Sequence, residues 1–179
     1  MIKINTDRLI LRTFCGKDSQ RYLELYKNVQ VHCFADEKMD DLETAKKKVR
    51  QKSKLSDGSS LAVCLKETDE MIGMVFGSWE GDTFGICWNF LTDCCGRGFG
   101  YEAAKAYITF LFEKMYARRI YAYVEDNNLN SQRLCEKLLM RREGLFKEFV
   151  TFINDDEGKP IYENTYVYAI LKKEWNQNK

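Results

Sequence analysis

Three glycines within five residues, Gly96, Gly98 and Gly100 in LTDCCGRGFGYEAA (91–104), separate an apolar segment over 84–91 from a segment with helical periodicity over 101–116. That order describes a strand, a tight connection and a helix whose first turn carries almost no side-chain bulk. The first N–H groups of a helix have no partner inside it, and the dipole there favours negative charge. A helix start lined by glycine therefore receives a phosphate or pyrophosphate, with Arg97 as an added cation. The plain alternative is a strand-to-helix turn that uses glycine and binds nothing.

Composition narrows the classes. The 179 residues suffice for a single domain, 1–179, that buries its core without disulfides or metal. A formal net charge of +1 gives no global field toward nucleic acid or an acidic membrane. The chain starts MIKINTDRLILR, without an apolar run of signal-peptide length, and eighteen apolar residues never follow one another. Seven cysteines (15, 33, 64, 87, 94, 95 and 135) are odd in number and form no C-x-x-C pair, and His32 is the only histidine. Neither a zinc site nor a disulfide framework has its residues here. The expectation is a reduced, cytoplasmic protein with no metal, no nucleic acid and no membrane partner.

Periodicity alternates along the chain. RLILRT (8–13) alternates apolar and basic residues as a half-buried strand does. Asp18 reads as the N-cap of an amphipathic helix carrying Tyr22, Leu23, Leu25 and Tyr26. Asp41 or Thr44 opens a second helix to about residue 54, and its run KKKVRQKSK reads as a solvated face. A loop over 56–60 precedes strands over 61–65 and 71–76, and 84–91 extends this hairpin into a meander. After the glycines comes a helix whose Ala104, Tyr107, Ile108, Leu111 and Phe112 share one face. A strand over 119–124, a helix over 129–140 and strands over 148–153 and 162–171 follow, the last two joined by a turn at 155–159. The pattern describes an α/β chain of the α+β type, with a mixed, mostly antiparallel central sheet flanked by helices.

The identity of the phosphate compound is partly set by what is missing. A nucleoside-triphosphate loop requires Lys and then Ser or Thr after its last glycine, where this chain has Tyr101 and Glu102. A dinucleotide fingerprint requires a third glycine where Tyr101 stands. Glu125 and Asp126, ending the next strand, would imitate its ribose-binding acid, but an antiparallel meander before the loop argues against that fold.

Five segments, in order, resemble the GCN5-related N-acetyltransferases (GNAT), in the branch of the ribosomal-protein N-terminal acetyltransferases (RimJ/RimL-like). TDRLILRTFCGKD (6–18) is similar to the opening strand of that branch, and MIGMVFG (71–77) to the Ile-Gly strand of its hairpin. CGRGFGYEAA (95–104) resembles the acyl-CoA signature. DNNLNSQRLCEKLLMRREG (126–144) resembles the family's Asn-x-x-Ser helix, and VYAILKKEW (167–175) its closing strand.

The resemblance implies a GNAT-like fold with a V-shaped splay between the fourth and fifth strands, and acetyl-CoA as cosubstrate. Phe90, Leu91, Cys95, Gly96, Arg97, Gly98, Phe99, Gly100 and Tyr101 would hold the cofactor, the loop amides taking its pyrophosphate. Asn128 and Ser131 match positions that contact its arm, and Asn128 reads equally as a helix N-cap. Cys135 lies where other branches carry the tyrosine that protonates the leaving thiolate. A thiol with a pKa of about 8.5 suits that role, against the plain reading of a small buried residue. Cys95 stands where the signature has Gln or Arg, Leu139 and Met140 replace a Gly and a Phe, and Gly85 lies where many relatives carry a glutamate base.

A missing base favours a weakly basic acceptor. An α-amine with a pKa of about 7.7–8.0 is roughly a tenth neutral at pH 7, and a lysine side chain near 10.4 only about once in several thousand molecules. The reading is therefore direct attack by a protein or peptide N-terminus, or a small amine, on bound acetyl-CoA in a ternary complex. No covalent intermediate is implied, and His32, before the second helix, reads as unrelated to the site. The alternative is a non-catalytic acyl-CoA-binding regulator. The acceptor pocket falls to the first two helices and the 154–162 turn, with Tyr22, Tyr26, Phe34 and Tyr162 as lining. A monomer and a homodimer both fit the sequence.

Overall fold

The computed structural model describes residues 2–27, 29 and 31–177. Strands β1 (Lys3–Asn5) and β2 (Leu9–Arg12) form a short antiparallel pair. A 3-10 turn over Gly16–Asp18 leads into α1 (Ser19–Lys27), and another over His32–Glu37 precedes α2 (Leu42–Lys52). The meander is β3 (Ser60–Leu65), β4 (Met71–Glu80) and β5 (Thr83–Phe90). Then come α3 (Phe99–Glu113), β6 (Arg119–Glu125), α4 (Leu129–Lys137), β7 (Arg141–Asn154), β8 (Pro160–Leu171) and α5 (Lys172–Gln177). The eight strands form one sheet in the order β1-β2-β3-β4-β5-β6-β8-β7, antiparallel except where β5 meets β6.

Strand alternation assigns the faces. Phe84 of β5 meets Tyr107 of α3 edge-on, so Phe84, Ile86 and Trp88 point to the α3 side together with their partners Trp79, Gly77 and Val75. Met74 and Phe76 of β4 point the other way, where the Tyr26 hydroxyl meets the Met74 sulfur and Phe34 packs on Phe76. Gly85 and Cys87 share that second face. The expected stripe on α3 is the core: Ala104, Tyr107, Ile108, Leu111 and Phe112 are fully buried. Gly77 is obligatory, because a Cβ there would lie 1.9 Å from the Gly85 carbonyl oxygen.

Four local expectations change. Lys3–Asn5 is a strand the periodicity missed, too short to show alternation. Asp18 does not cap α1. Its carboxylate is 1% exposed, accepts the Cys15 N–H at 2.8 Å and makes two 2.8 Å bonds with Arg12, whose guanidinium also reaches Asp69. Removing one member of such a buried pair typically costs about 3–5 kcal/mol. The glycine-led helix starts at Phe99, two residues early, because Gly98 itself is the N-cap. Finally, α4 stops at Lys137 and β7 runs from Arg141, absorbing residues 141–147 through register shifts at Arg142/Gly144 and Phe146/Val150.

The turn after α4 forms despite lacking a glycine. Met140 N–H bonds back to the Cys135 carbonyl at 3.0 Å and Leu139 N–H to that of Glu136 at 2.9 Å, the paired pattern of a helix C-terminus. Leu139 accordingly sits at φ +59° with its side chain exposed. A left-handed non-glycine residue costs about 1–2 kcal/mol. Leu139→Gly is expected to raise stability by about 1 kcal/mol, read as a higher urea midpoint at an unchanged m-value; an unchanged midpoint would show that the turn stores no strain.

Candidate active site

The glycine loop is built as a cradle of donors. From β5 the chain passes through Leu91, whose N–H bonds the Ile72 carbonyl at 2.9 Å, and a 3-10 turn over Thr92–Cys94. Cys95 N–H is spent on the Thr92 carbonyl at 3.2 Å. Beyond it, Gly96 and Gly98 take φ of +75° and +81°, and the first main-chain bond of α3 is Glu102 N–H to the Gly98 carbonyl at 3.1 Å. The N–H groups from Gly96 to Tyr101 have no partner among the described residues, and no side chain caps the helix. Gly100 is different in kind. It lies inside the helix, and a Cβ there would make only ordinary contacts with Phe90 and Leu134.

Two residues that no motif singled out hold this cradle in place. Glu102 accepts hydrogen bonds from the Thr6 hydroxyl at 2.6 Å, the Arg8 N–H at 2.8 Å and the Arg8 guanidinium at 2.7 Å, tying the first turn of α3 to the β1–β2 connection. Partial burial raises its pKa, and these bonds outweigh that and hold it below the usual carboxylate range. Arg8 also donates to the Arg97 carbonyl at 3.1 Å, and the Arg8 and Arg97 guanidiniums lie 4.6 and 4.8 Å from the Phe99 ring centre. Arg97 thus adds a cation to a loop rich in donors, while the Arg8 charge is met by Glu102. Cys95 and Tyr101 are exposed on its rim, while Phe90 and Leu91 pack beneath it.

Beside the cradle the sheet opens. Strands β5 and β6 pair only at Thr83↔Arg119, Phe84↔Ile120 and Gly85↔Tyr121, then part. A cavity of about 170 Å³ fills the gap, lined by Cys87 and Trp88 of β5, Tyr123 and Glu125 of β6, Asn128 and Ser131 at the start of α4, and Phe149 and Phe152 of β7. Cys33 and Phe34 close it from the 3-10 turn before α2. Alternation puts Trp88, Ala122 and Val124 toward α3 and α4, and Cys87, Tyr123 and Glu125 toward α1 and α2. The gap thus connects the two faces of the sheet.

The polar groups of the gap are fixed. Asn128 is the N-cap of α4, its Oδ1 accepting the Ser131 N–H at 3.1 Å, and it also lines the cavity, so capping and contact with a ligand are compatible. Ser131 Oγ accepts the Trp88 indole N–H at 3.2 Å, linking α4 to β5 across the opening. Cys135, by contrast, is wholly enclosed behind α4, and burial pushes its thiol up to about 12. It is packed as a core residue and is absent from the cavity lining.

The acceptor side departs furthest from expectation. At Gly85 a Cβ would come within 2.8 Å of the Tyr121 hydroxyl, which donates to Glu80 at 2.6 Å, so a tyrosine fills the space of a glutamate there. Carboxylates enter from other strands. Glu125 and Glu163 are 6% and 7% exposed, and consecutive residues of one 3-10 turn meet them: Cys33 N–H donates to Glu125 Oε1 at 2.8 Å, and the His32 ring pairs with Glu163. His32 is therefore part of this region and not remote from it. Phe34 lines the gap as expected, Tyr22 and Tyr26 are core, and Tyr162 is exposed on β8 outside the cavity lining. Long-range pairing of this kind leaves no local signal, since residues 125 and 163 meet the turn only through the sheet order.

Comparison with known proteins agrees with this layout. The family profile described as acetyltransferase (GNAT) domain matches residues 8–141. The uncharacterized N-acetyltransferase YnaD of Bacillus subtilis (strain 168) is 34% identical over 175 residues, covering 97% of this chain and 99% of that protein. The crystal structure of an acetyltransferase (GNAT family) from Bacillus anthracis superposes with a TM-score of 0.85 at 28% identity, covering 97% of this chain and all of that one. RimL, a ribosomal α-N-protein acetyltransferase solved in complex with coenzyme A, shares the fold at a TM-score of 0.73 and 17% identity, over 95% of this chain and 98% of its own.

Proposed function

Because the chain belongs to the GNAT acetyltransferase family, we propose that it moves the acetyl group of acetyl-CoA to a primary amine, within one domain spanning 1–179. The acceptor is a protein or peptide N-terminus or a small amine. The observation that carries this reading is the parting of β5 from β6 beside a helix start whose amides are unspent. A diphosphate lies against the N–H groups from Gly96 to Tyr101. The cofactor's arm, which carries amides of its own, runs into the gap along the unpaired edges of β5 and β6, past Asn128 and Ser131. Its thioester then sits between the faces, and an amine arriving from the Cys33–Phe34 side attacks it directly.

Charge and enclosure favour this division of labour. The cradle carries Arg8 and Arg97, suited to phosphate, and the far side carries buried carboxylates, suited to an ammonium. Asn128 positions α4 and the arm, and Cys135 supports the core and takes no part in proton transfer. RimL was solved with coenzyme A, and the shared fold supports the same cofactor here.

Free thiol is expected only when acetyl-CoA and an amine are both supplied, with intersecting initial-rate lines, as a ternary complex requires. Tight acetyl-CoA binding without turnover on any amine in a broad panel would instead identify an acyl-CoA-binding regulator. Gly98→Ala, at φ +81°, is expected to weaken acetyl-CoA binding in calorimetry by about tenfold, the equivalent of about 1.4 kcal/mol of backbone strain, while Gly100→Ala stays within about threefold. Equal losses at both positions would remove the cradle from the account.

A further inference from the structure

Three carboxylates are buried among the described residues: Asp18, Glu125 and Glu163. Asp18 is paired with Arg12, and Glu163 with His32. Glu125 has no lysine, arginine or histidine within ion-pair distance among the described residues, and its one backbone partner is the Cys33 N–H on Oε1. A charge held out of water is costly unless an opposite charge or a proton joins it. Glu125 lines the gap between β5 and β6, on the face away from the glycine loop.

We infer that Glu125 receives the acceptor as its ammonium and is the base that deprotonates it. This rests on the acetyl-transfer reading above and adds to it the group that makes the amine nucleophilic. The position explains how the chain manages without a carboxylate at Gly85. Tyr121 occupies the space beside Gly85, in the last β5–β6 pair and outside the cavity lining, and the acid that lines the gap itself is Glu125, the last residue of β6.

The other titratable groups facing Glu125 leave it this role. From the 3-10 turn, burial first and then Glu125 itself raise the Cys33 thiol well above its usual value. On β5, burial pushes Cys87 up to about 12, so both thiols stay protonated at neutral pH. On β8, Glu163 is engaged by His32. On the β6 side, Asp126 is held by the Asn164 amide at 2.9 Å, and Tyr123 turns its ring to Phe149.

The step balances. The Glu125 carboxylate takes one proton from the ammonium, and the neutral nitrogen attacks the thioester carbonyl to form the C–N bond. The C–S bond breaks, the thiolate leaves with its electron pair and accepts the second proton from the nitrogen, and the proton on Glu125 passes to solvent. The products are an amide, free CoA thiol and one proton.

Glu125→Gln keeps an oxygen for the Cys33 N–H and removes only the base. The assay uses whichever of an alanine-led peptide and phenethylamine the unmodified enzyme turns over. At pH 6.5 kcat is expected to fall about 100- to 10,000-fold, the usual range for a positioned base, with acetyl-CoA affinity in calorimetry within about twofold. The gap should narrow roughly tenfold per pH unit toward the acceptor's own pKa, because the amine then arrives neutral. Glu125→Asp, which keeps a carboxylate, should recover the unmodified pH profile, and it decides the matter should Glu125→Gln fail to bind acetyl-CoA. A Glu125→Gln enzyme with full kcat, a deficit constant from pH 6.5 to 9.5, or a Glu125→Asp profile matching Glu125→Gln would overturn the role. Absence of thiol release by the unmodified enzyme with any amine would overturn acetyl transfer itself, a separate outcome.

Discussion

Everything in this molecule turns on β5 and β6 sharing three residue pairs and no more. A sheet that zipped to its end would satisfy every backbone group and leave no site. By separating after Gly85 and Tyr121, the two strands leave polar edges that need a partner and a passage between the faces of the sheet. The remaining pairings, β1 to β5 on one side and β6, β8 and β7 on the other, form two antiparallel blocks that flank the opening. Trp88 and Ser131 bridge it on the α3 and α4 side, and Cys33 and Phe34 close it on the other.

Electrostatics then divides the passage. On the α3 side, Arg97 and unspent amides gather around Gly96–Tyr101, and Glu102 is engaged in holding the helix start to Thr6 and Arg8. On the α1 and α2 side, buried acids face a turn whose His32 and Cys33 hold them. On the proposed reading, a diphosphate and an ammonium would meet opposite faces of the sheet.

Much of this could be read along the chain where neighbours in sequence are neighbours in space. The alternation in RLILRT, the α3 stripe from Ala104 to Phe112 and the glycine-opened helix depend on local periodicity, and they appear where the pattern puts them. Asp41 caps α2 as its position suggests, accepting the Thr44 N–H at 2.8 Å. Asp18 shows the limit. Its type and place fit an N-cap, but Arg12, six residues back and across a turn, claims the carboxylate. The register shifts of β7 were equally unreadable, since residues 141–147 show no clear period and become strand where β8 offers an edge.

By itself the sequence determined most of the helices and strands, the α/β class and the donor cradle, because these follow from side-chain period and from helix ends that lack partners within a few residues. The tertiary structure decided where acid meets the gap: it filled the Gly85 site with Tyr121, withdrew Cys135 into the core and brought Glu125 beside Cys33, ninety-two positions apart in the chain. Such choices depend on sheet order and on which groups are shut away from water, and neither is written in any short stretch of residues.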